Sequence, residues 1–378
     1  MRPTTPASAL SLLLFAALLP APVWAQLNGF ERPRVEVAFV LDTTGSMGGL
    51  IQGAKQKIWS IVNEIGQGQP APDIKVGLVG YRDIHDAYVT TLTDLTPDID
   101  AVFATLMGFQ ANGGGDGPEH VNAALYEAVH SLSWSPDRET LKVIFLVGDA
   151  PPHMDYTDDV QYPDTCQRAV RSEIIINAIQ CGGDTQTRKV WQDIAYRSEG
   201  RYVALPQGGG AVAITTPFDS HLANLSGELD RTYLTYGEMT QQREARRAMT
   251  RATGLAKKAA AEAAAARASF RGSKGALGNR DLLAALAAGE VELDALDETA
   301  LPEELRDKSP AQRIEYVGFL QAARQQVLRQ IADLSELRSA YLKAELKKRG
   351  GAEDSFDAEV IESIRAKAQE KGISYAAR

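Results

Sequence analysis

Val35 to Leu41 (VEVAFVL) is an apolar run with β-branched residues, and it stops abruptly at Asp42-Thr43-Thr44-Gly45-Ser46-Met47. Such a run reads as a buried strand. Asp42, Thr44 and Ser46 follow at spacing i, i+2, i+4, beyond the strand's carboxyl end. In an open α/β sheet that rim is where ligands bind. One carboxylate and two hydroxyls on a tight turn present hard oxygen ligands to a hard cation such as Mg²⁺.

The next 170 residues or so repeat the strand-then-helix alternation. Strands are expected at Ile74 to Tyr81, at Tyr88 to Leu92 as a short edge, at Leu141 to Val147, at Ile174 to Gln180 and at Arg201 to Leu205. Helices are expected at 48–65, 96–109, 121–132, 166–172, 185–198 and 219–225. This alternation predicts an α/β fold with a doubly wound, mainly parallel sheet of six strands. Val35 to Leu41 and Leu141 to Val147 are the most apolar strands, as central parallel strands are.

Two later loops add carboxylates. Gly148-Asp149 follows the second central strand, so Asp149 can face Asp42 across the rim. Two unpaired carboxylates there would raise a pKa, and a divalent cation relieves that. The loop Ala111 to Glu119 (ANGGGDGPE) lets the backbone turn sharply and approach a ligand. Its Asp116 reads either as a metal ligand or, with Glu119 three residues on, as the start of a capping box. The acidic loop 150–164 holds His153, Asp155, Asp158 and Asp159 without the spacing of a Ca²⁺ loop. Asp83 reads as a supporting group at the rim or as a surface ion pair.

Asp42-x-Thr44-x-Ser46 resembles the metal-ion-dependent adhesion site of von Willebrand factor type A (VWA) domains, with Thr44 where the family pattern has its first Ser. The resemblance extends over roughly residues 33–232. It implies strand order 3-2-1-4-5-6, one antiparallel edge strand and a cation at the carboxyl rim. It also implies a protein partner whose carboxylate completes the coordination. Mg²⁺ is the expected ion, with Mn²⁺ or Ca²⁺ as alternatives. The position matching Asp149 commonly reaches the metal through water in the family. The loop holding Asp116 usually carries Thr.

Other readings compete. The turn also resembles the aspartyl-phosphate turn of haloacid-dehalogenase-like phosphotransferases, in which Asp42 would attack a phosphoryl group beside Mg²⁺. Those enzymes need a downstream Lys and a terminal acidic pair, and Gly148-Asp149-Ala150 lacks the second carboxylate. A nucleotide cradle at Gly45 to Gly49 fits neither Gly-x-Gly-x-x-Gly nor a P-loop. A metal-free structural scaffold is the third alternative. A binding module rather than an enzyme is therefore expected.

Residues 1–25 have the form of a secretory signal peptide: Arg2, an apolar stretch from Ala9 to Leu19, and Val23-Trp24-Ala25 before Gln26. An exported protein, periplasmic or secreted, is expected, with no transmembrane segment after cleavage. A net charge of −9 argues against nucleic-acid binding. Two cysteines in an exported chain, Cys166 and Cys181, predict one disulfide.

From about Tyr233 the composition changes. Residues 233–378 read as an α-helical extension in which Ala, Lys, Arg and Glu dominate, broken near Gly272 to Gly278 and at Gly350-Gly351. A long helix is expected from Pro310 to about Lys348, resembling a helical hairpin more than a coiled coil, with Arg324 and Arg338 at seam positions. This region offers a route to self-association, and residues 30–232 are expected to fold without it.

Overall fold

A computed structural model describes residues 32–205, 214–274, 277–278, 280–348 and 355–375. The leader-like segment 1–25 and the Gly350-Gly351 pair lie outside the described residues.

Six strands form one sheet: β1 (Arg34–Asp42), β2 (Asp73–Tyr81), β3 (Thr90–Thr96), β4 (Leu141–Gly148), β5 (Ile174–Cys181) and β6 (Tyr202–Leu205). Their order is β3-β2-β1-β4-β5-β6, parallel except for β3 at the edge, which matches the expected topology. The apolar β1 lies between β2 and β4, where Phe39 is level with Leu78 on one side and Phe145 on the other. The chain leaves β1 towards β2 and returns to β4, so the strand order reverses between β1 and β4. That reversal opens a crevice at the carboxyl rim.

Alternation along the strands sorts side chains onto two faces. Val37, Phe39 and Leu41 point with Val76, Leu78, Val143 and Phe145 towards α1 (Ile51–Gly66) and α2 (Ile99–Gly108). Ala38, Val40, Ile144, Leu146, Ile176 and Ala178 point towards α3 (Val121–His130), α4 (Tyr162–Arg171) and α5 (Thr185–Arg197). The helix expected from Cys166 starts earlier, at Tyr162, with Pro163 in its first turn, where no hydrogen-bonded N–H is needed.

The two faces overturn the expected disulfide. Cys166 belongs to the α3–α5 face, where its thiol donates to Ile194 O at 3.7 Å. Cys181 belongs to the α1–α2 face. Both are free and buried, with the sheet between them. Cys166 and Cys181 follow one another on adjacent elements, α4 and β5, but their side chains take opposite faces of the sheet.

The helical segments continue the same body. They are α6 (Asp219–Asp230), α7 (Met239–Ala256), α8 (Ala261–Lys274), α9 (Leu282–Ala288), the single turn α10 (Glu303–Arg306), α11 (Pro310–Lys348) and α12 (Ser355–Glu370). Packing runs across residue 233 without a break. Ala263, Ala266 and Phe270 of α8, with Ile364, Ala368 and Ile373 from α12 onward, join the core that holds β1, α1 and α2. The cause lies in α1 and α2, whose Trp59 and Phe103 need a cover. Phe270 packs 6.3 Å from Trp59 ring to ring, and small alanines let the α8 backbone come close enough for Asn63 Nδ2 to donate to Ala266 O at 3.1 Å.

Nor do the last helices form the expected hairpin or coiled coil. α11 lies on α6 and α8, and α12 returns to α1 and β6. The two arginines on the α11 seam find acids on other elements: Arg324 pairs with Asp281 at 2.7 Å and Arg338 with Asp219 at 2.6 Å. Among the described residues no helix is long and apolar enough to cross a membrane.

Candidate functional site

Asp42 ends β1 and is fully buried. Its Oδ1 accepts hydrogen bonds from Thr44 N at 2.8 Å and Thr44 Oγ1 at 2.6 Å. Thr44 Oγ1 lies 3.1 Å from Ser46 Oγ, which in turn donates to Asp149 Oδ1 at 2.9 Å. Four of the five predicted site residues thus form one unbroken line of contacts across the crevice between β1 and β4.

Close backbone approach makes this possible. The turn from Gly45 to Gly49 is a 3₁₀ segment leading into α1. Gly45 N donates to Gly113 O at 2.9 Å and Asn112 N to Thr43 O at 3.0 Å, which fastens the glycine-rich loop against the turn. A Cβ at Gly148 would stand 2.8 Å from Asp42 Cβ. Gly114 takes the left-handed conformation, φ +79°, and a Cβ there would lie 2.9 Å from Glu119 Oε1 and 3.3 Å from Thr44 Cβ.

Glu119 is therefore a residue of this site that sequence reasoning missed. The sequence pairs it with Asp116 as a capping partner. The helix it was meant to cap, α3, begins only at Val121 with His120 as its N-cap residue. That leaves the Glu119 side chain, 3% exposed, to turn inward beside Thr44. No local signal in Gly-Gly-Gly-Asp-Gly-Pro-Glu separates the two roles, because Pro118 fits the first turn of a helix capped by Asp116 as Pro163 fits that of α4.

Asp116 does not join the Asp42 line. It lies with its Oδ1 3.2 Å from His153 Nε2, and Asp83 Oδ2 is 3.7 Å from the same nitrogen. His120 and His153 are both buried at this rim. His85, His130 and His221 are exposed.

The electrostatics follow from burial. Asp42 is pushed up to about 7, by desolvation first and by the charge of Asp149, against the hydrogen bonds from Thr44. Glu119 is pushed up to about 8 by burial and then by the charges of Asp42 and Asp83. Burial also raises Asp149, with the Ser46 hydrogen bond opposing it. Asp42 Oδ2, Glu119 Oε2 and Tyr81 Oη are buried without a hydrogen-bond partner. Among the described residues, the two buried lysines are engaged elsewhere: Lys55 donates to Phe109 O at 2.5 Å and Lys142 to Ser172 O at 3.1 Å. Three carboxylates and two hydroxyls converging with orphaned oxygens are a donor set that fits a hard divalent cation.

Residues 36–217 match the family model of the von Willebrand factor A domain. The chain is similar to von Willebrand factor A domain-containing protein 7 of Rattus norvegicus, 38% identical over 130 residues that make up 33% of this chain and 13% of that protein. It is also similar to a putative ariadne-like RING finger protein of Acanthamoeba polyphaga mimivirus, 29% identical over 119 residues, 32% of this chain and 11% of that one. The chain thus spans little more than a tenth of the length of these relatives. Among solved structures, the SpRpn10 VWA domain aligns over 46% of this chain and 88% of its own, with a TM-score of 0.36 and 15% identity. The strand order, the rim turn and the matched residues agree: this chain is a von Willebrand factor A domain protein, with the domain spanning residues 36–217.

Proposed function

We propose that this chain is an exported, cation-dependent protein-binding module. Its ion, Mg²⁺ first and Mn²⁺ or Ca²⁺ second, is held by Asp42, Thr44 and Ser46 with Asp149 and Glu119 around them. When bound, the cation supplies a Lewis-acidic position that a carboxylate of a protein partner completes. The observation that carries this reading is the orphaned Oδ2 of a fully buried Asp42 beside two further carboxylates. Thr44 holds that carboxylate through its amide and its hydroxyl, and Ser46 ties the β1 turn to Asp149.

The module works by binding and not by turnover. A phosphotransfer reading of Asp42 needs a lysine at the rim, and both buried lysines near the core point their ammonium groups at carbonyls elsewhere. Thermal unfolding with Mg²⁺ or Mn²⁺ against chelator tests the proposal. The cations raise Tm by mass action, and Asp42→Ala removes the rise while the fold persists. An equal rise in the variant refutes it.

A further inference from the structure

A second group of side chains at the same rim has a different chemistry. Asp83 follows β2, Asp116 comes from the glycine-rich loop and His153 from the acidic loop, and one ligand atom of each lies within 4.8 Å of the others. His153 Nε2 is 3.2 Å from Asp116 Oδ1 and 3.7 Å from Asp83 Oδ2. Donors around a tetrahedral ion at 2.0–2.2 Å stand roughly 3.4 Å from one another. The observed separations bracket that edge length.

The surroundings are built as an imidazole ligand requires. His153 is 4% exposed, so its orientation is fixed. Its Nδ1 lies 2.8 Å from Asp155 Oδ1, the carboxylate–imidazole pairing that leaves Nε2 aimed at the cluster. Tyr156 stacks on the ring at 4.0 Å between centroids and donates its hydroxyl to both Asp83 oxygens at 3.1 Å. His153 N donates to Glu119 O at 3.1 Å, which fixes the loop. Glu119 Oε2, on the neighbouring residue of the same rim, is buried without a hydrogen bond.

We propose that Asp83, Asp116 and His153 form a second cation site, for a borderline first-row ion such as Zn²⁺, beside the all-oxygen site at Asp42. One imidazole with two carboxylates selects such ions over Mg²⁺, whereas the Asp42 group offers oxygen alone. Asp116 is 64% exposed, so the ion has a solvent path and an open coordination position. The inference does not depend on the function proposed for the Asp42 site.

Equilibrium dialysis of the full chain against Zn²⁺ in excess Mg²⁺, with bound metal counted, tests it. One Zn²⁺ is expected in the wild type and in Asp42→Ala. His153→Gln and Asp116→Asn lose it, and both keep the Mg²⁺-dependent rise in Tm. Asp155→Asn, which touches only Nδ1, weakens Zn²⁺ about 10- to 100-fold. Because Asp116 lies at the surface, its variant reports even if His153→Gln fails to fold. Full Zn²⁺ binding in Asp116→Asn, or its loss in Asp42→Ala, overturns the proposal, as does a wild type that binds none.

Discussion

The guanidinium of Arg267, on the alanine-rich α8, lies 2.7 Å from Asp100 in the first turn of α2, and both side chains are buried. Arg271 approaches the other Asp100 oxygen at 3.6 Å and also pairs with Asp230. Removing one member of such a buried group leaves a charge without a partner. Asp100→Ala is expected to lower unfolding free energy by about 3 kcal/mol in urea titrations. A loss below about 1 kcal/mol would show the pair to be solvated.

That pair fastens a helix that also covers Trp59 and Phe103. A fragment of residues 30–232 would expose both aromatics and the unpaired Asp100. It is expected to be insoluble, or to bind a hydrophobic dye and lose near-ultraviolet circular dichroism. A soluble fragment with cooperative unfolding would show instead that the sheet domain stands alone.

Acidity provides a second handle. Asp42 moves from its ordinary 3.8 to about 7 on folding, and Glu119 from 4.5 to about 8, both mainly by burial. Between about pH 4 and pH 8 the cation-free folded chain therefore holds more protons than the unfolded one. Its stability falls as pH rises through that window. A bound cation replaces those protons, so the Tm increment from Mg²⁺ grows over the same range. Unfolding scans at several pH values in chelator and in Mg²⁺ check this, and an increment independent of pH counts against it.

Thiol chemistry tests the two-face arrangement. Burial pushes Cys166 up to about 12 and Cys181 higher still, so neither is a nucleophile at neutral pH. Protein prepared without reductant is expected to give two reactive thiols per chain in denaturant and none when folded. Two protected sulfurs after denaturation would mean a bridge.

The legible parts of this fold were those with strong local signals. Apolar β-branched strands ending in small or acidic residues marked the sheet and the rim turn, because hydrophobic period and turn chemistry are local properties, while the strand order came only with the resemblance to the VWA family. Asp42, Thr44, Ser46 and Asp149 were found on that basis. Glu119 was not, and His153 was grouped with the acids of its own loop rather than with Asp83 and Asp116, because both are placed by where the loops 111–119 and 150–164 meet, through hydrogen bonds such as Glu119 N to Pro151 O at 2.9 Å. Composition likewise misled at α8. A run of alanines carries little apolar area alone, yet it is the smallness of Ala263 and Ala266 that admits the backbone to the α1–α2 surface.

The rim turn leads directly into α1, and the far end of α1 is clamped twice, by Phe270 lying against Gly66 and by Arg365 of α12 paired with Glu64. A lever held at its far end cannot slide. The turn that carries Thr44 and Ser46 is thus joined to a helix that packing and an ion pair hold in place at its far end. The helix that the rim turn opens is therefore anchored at its other end by a residue some 300 positions further along the chain, so α12 is part of what seats α1 against the sheet.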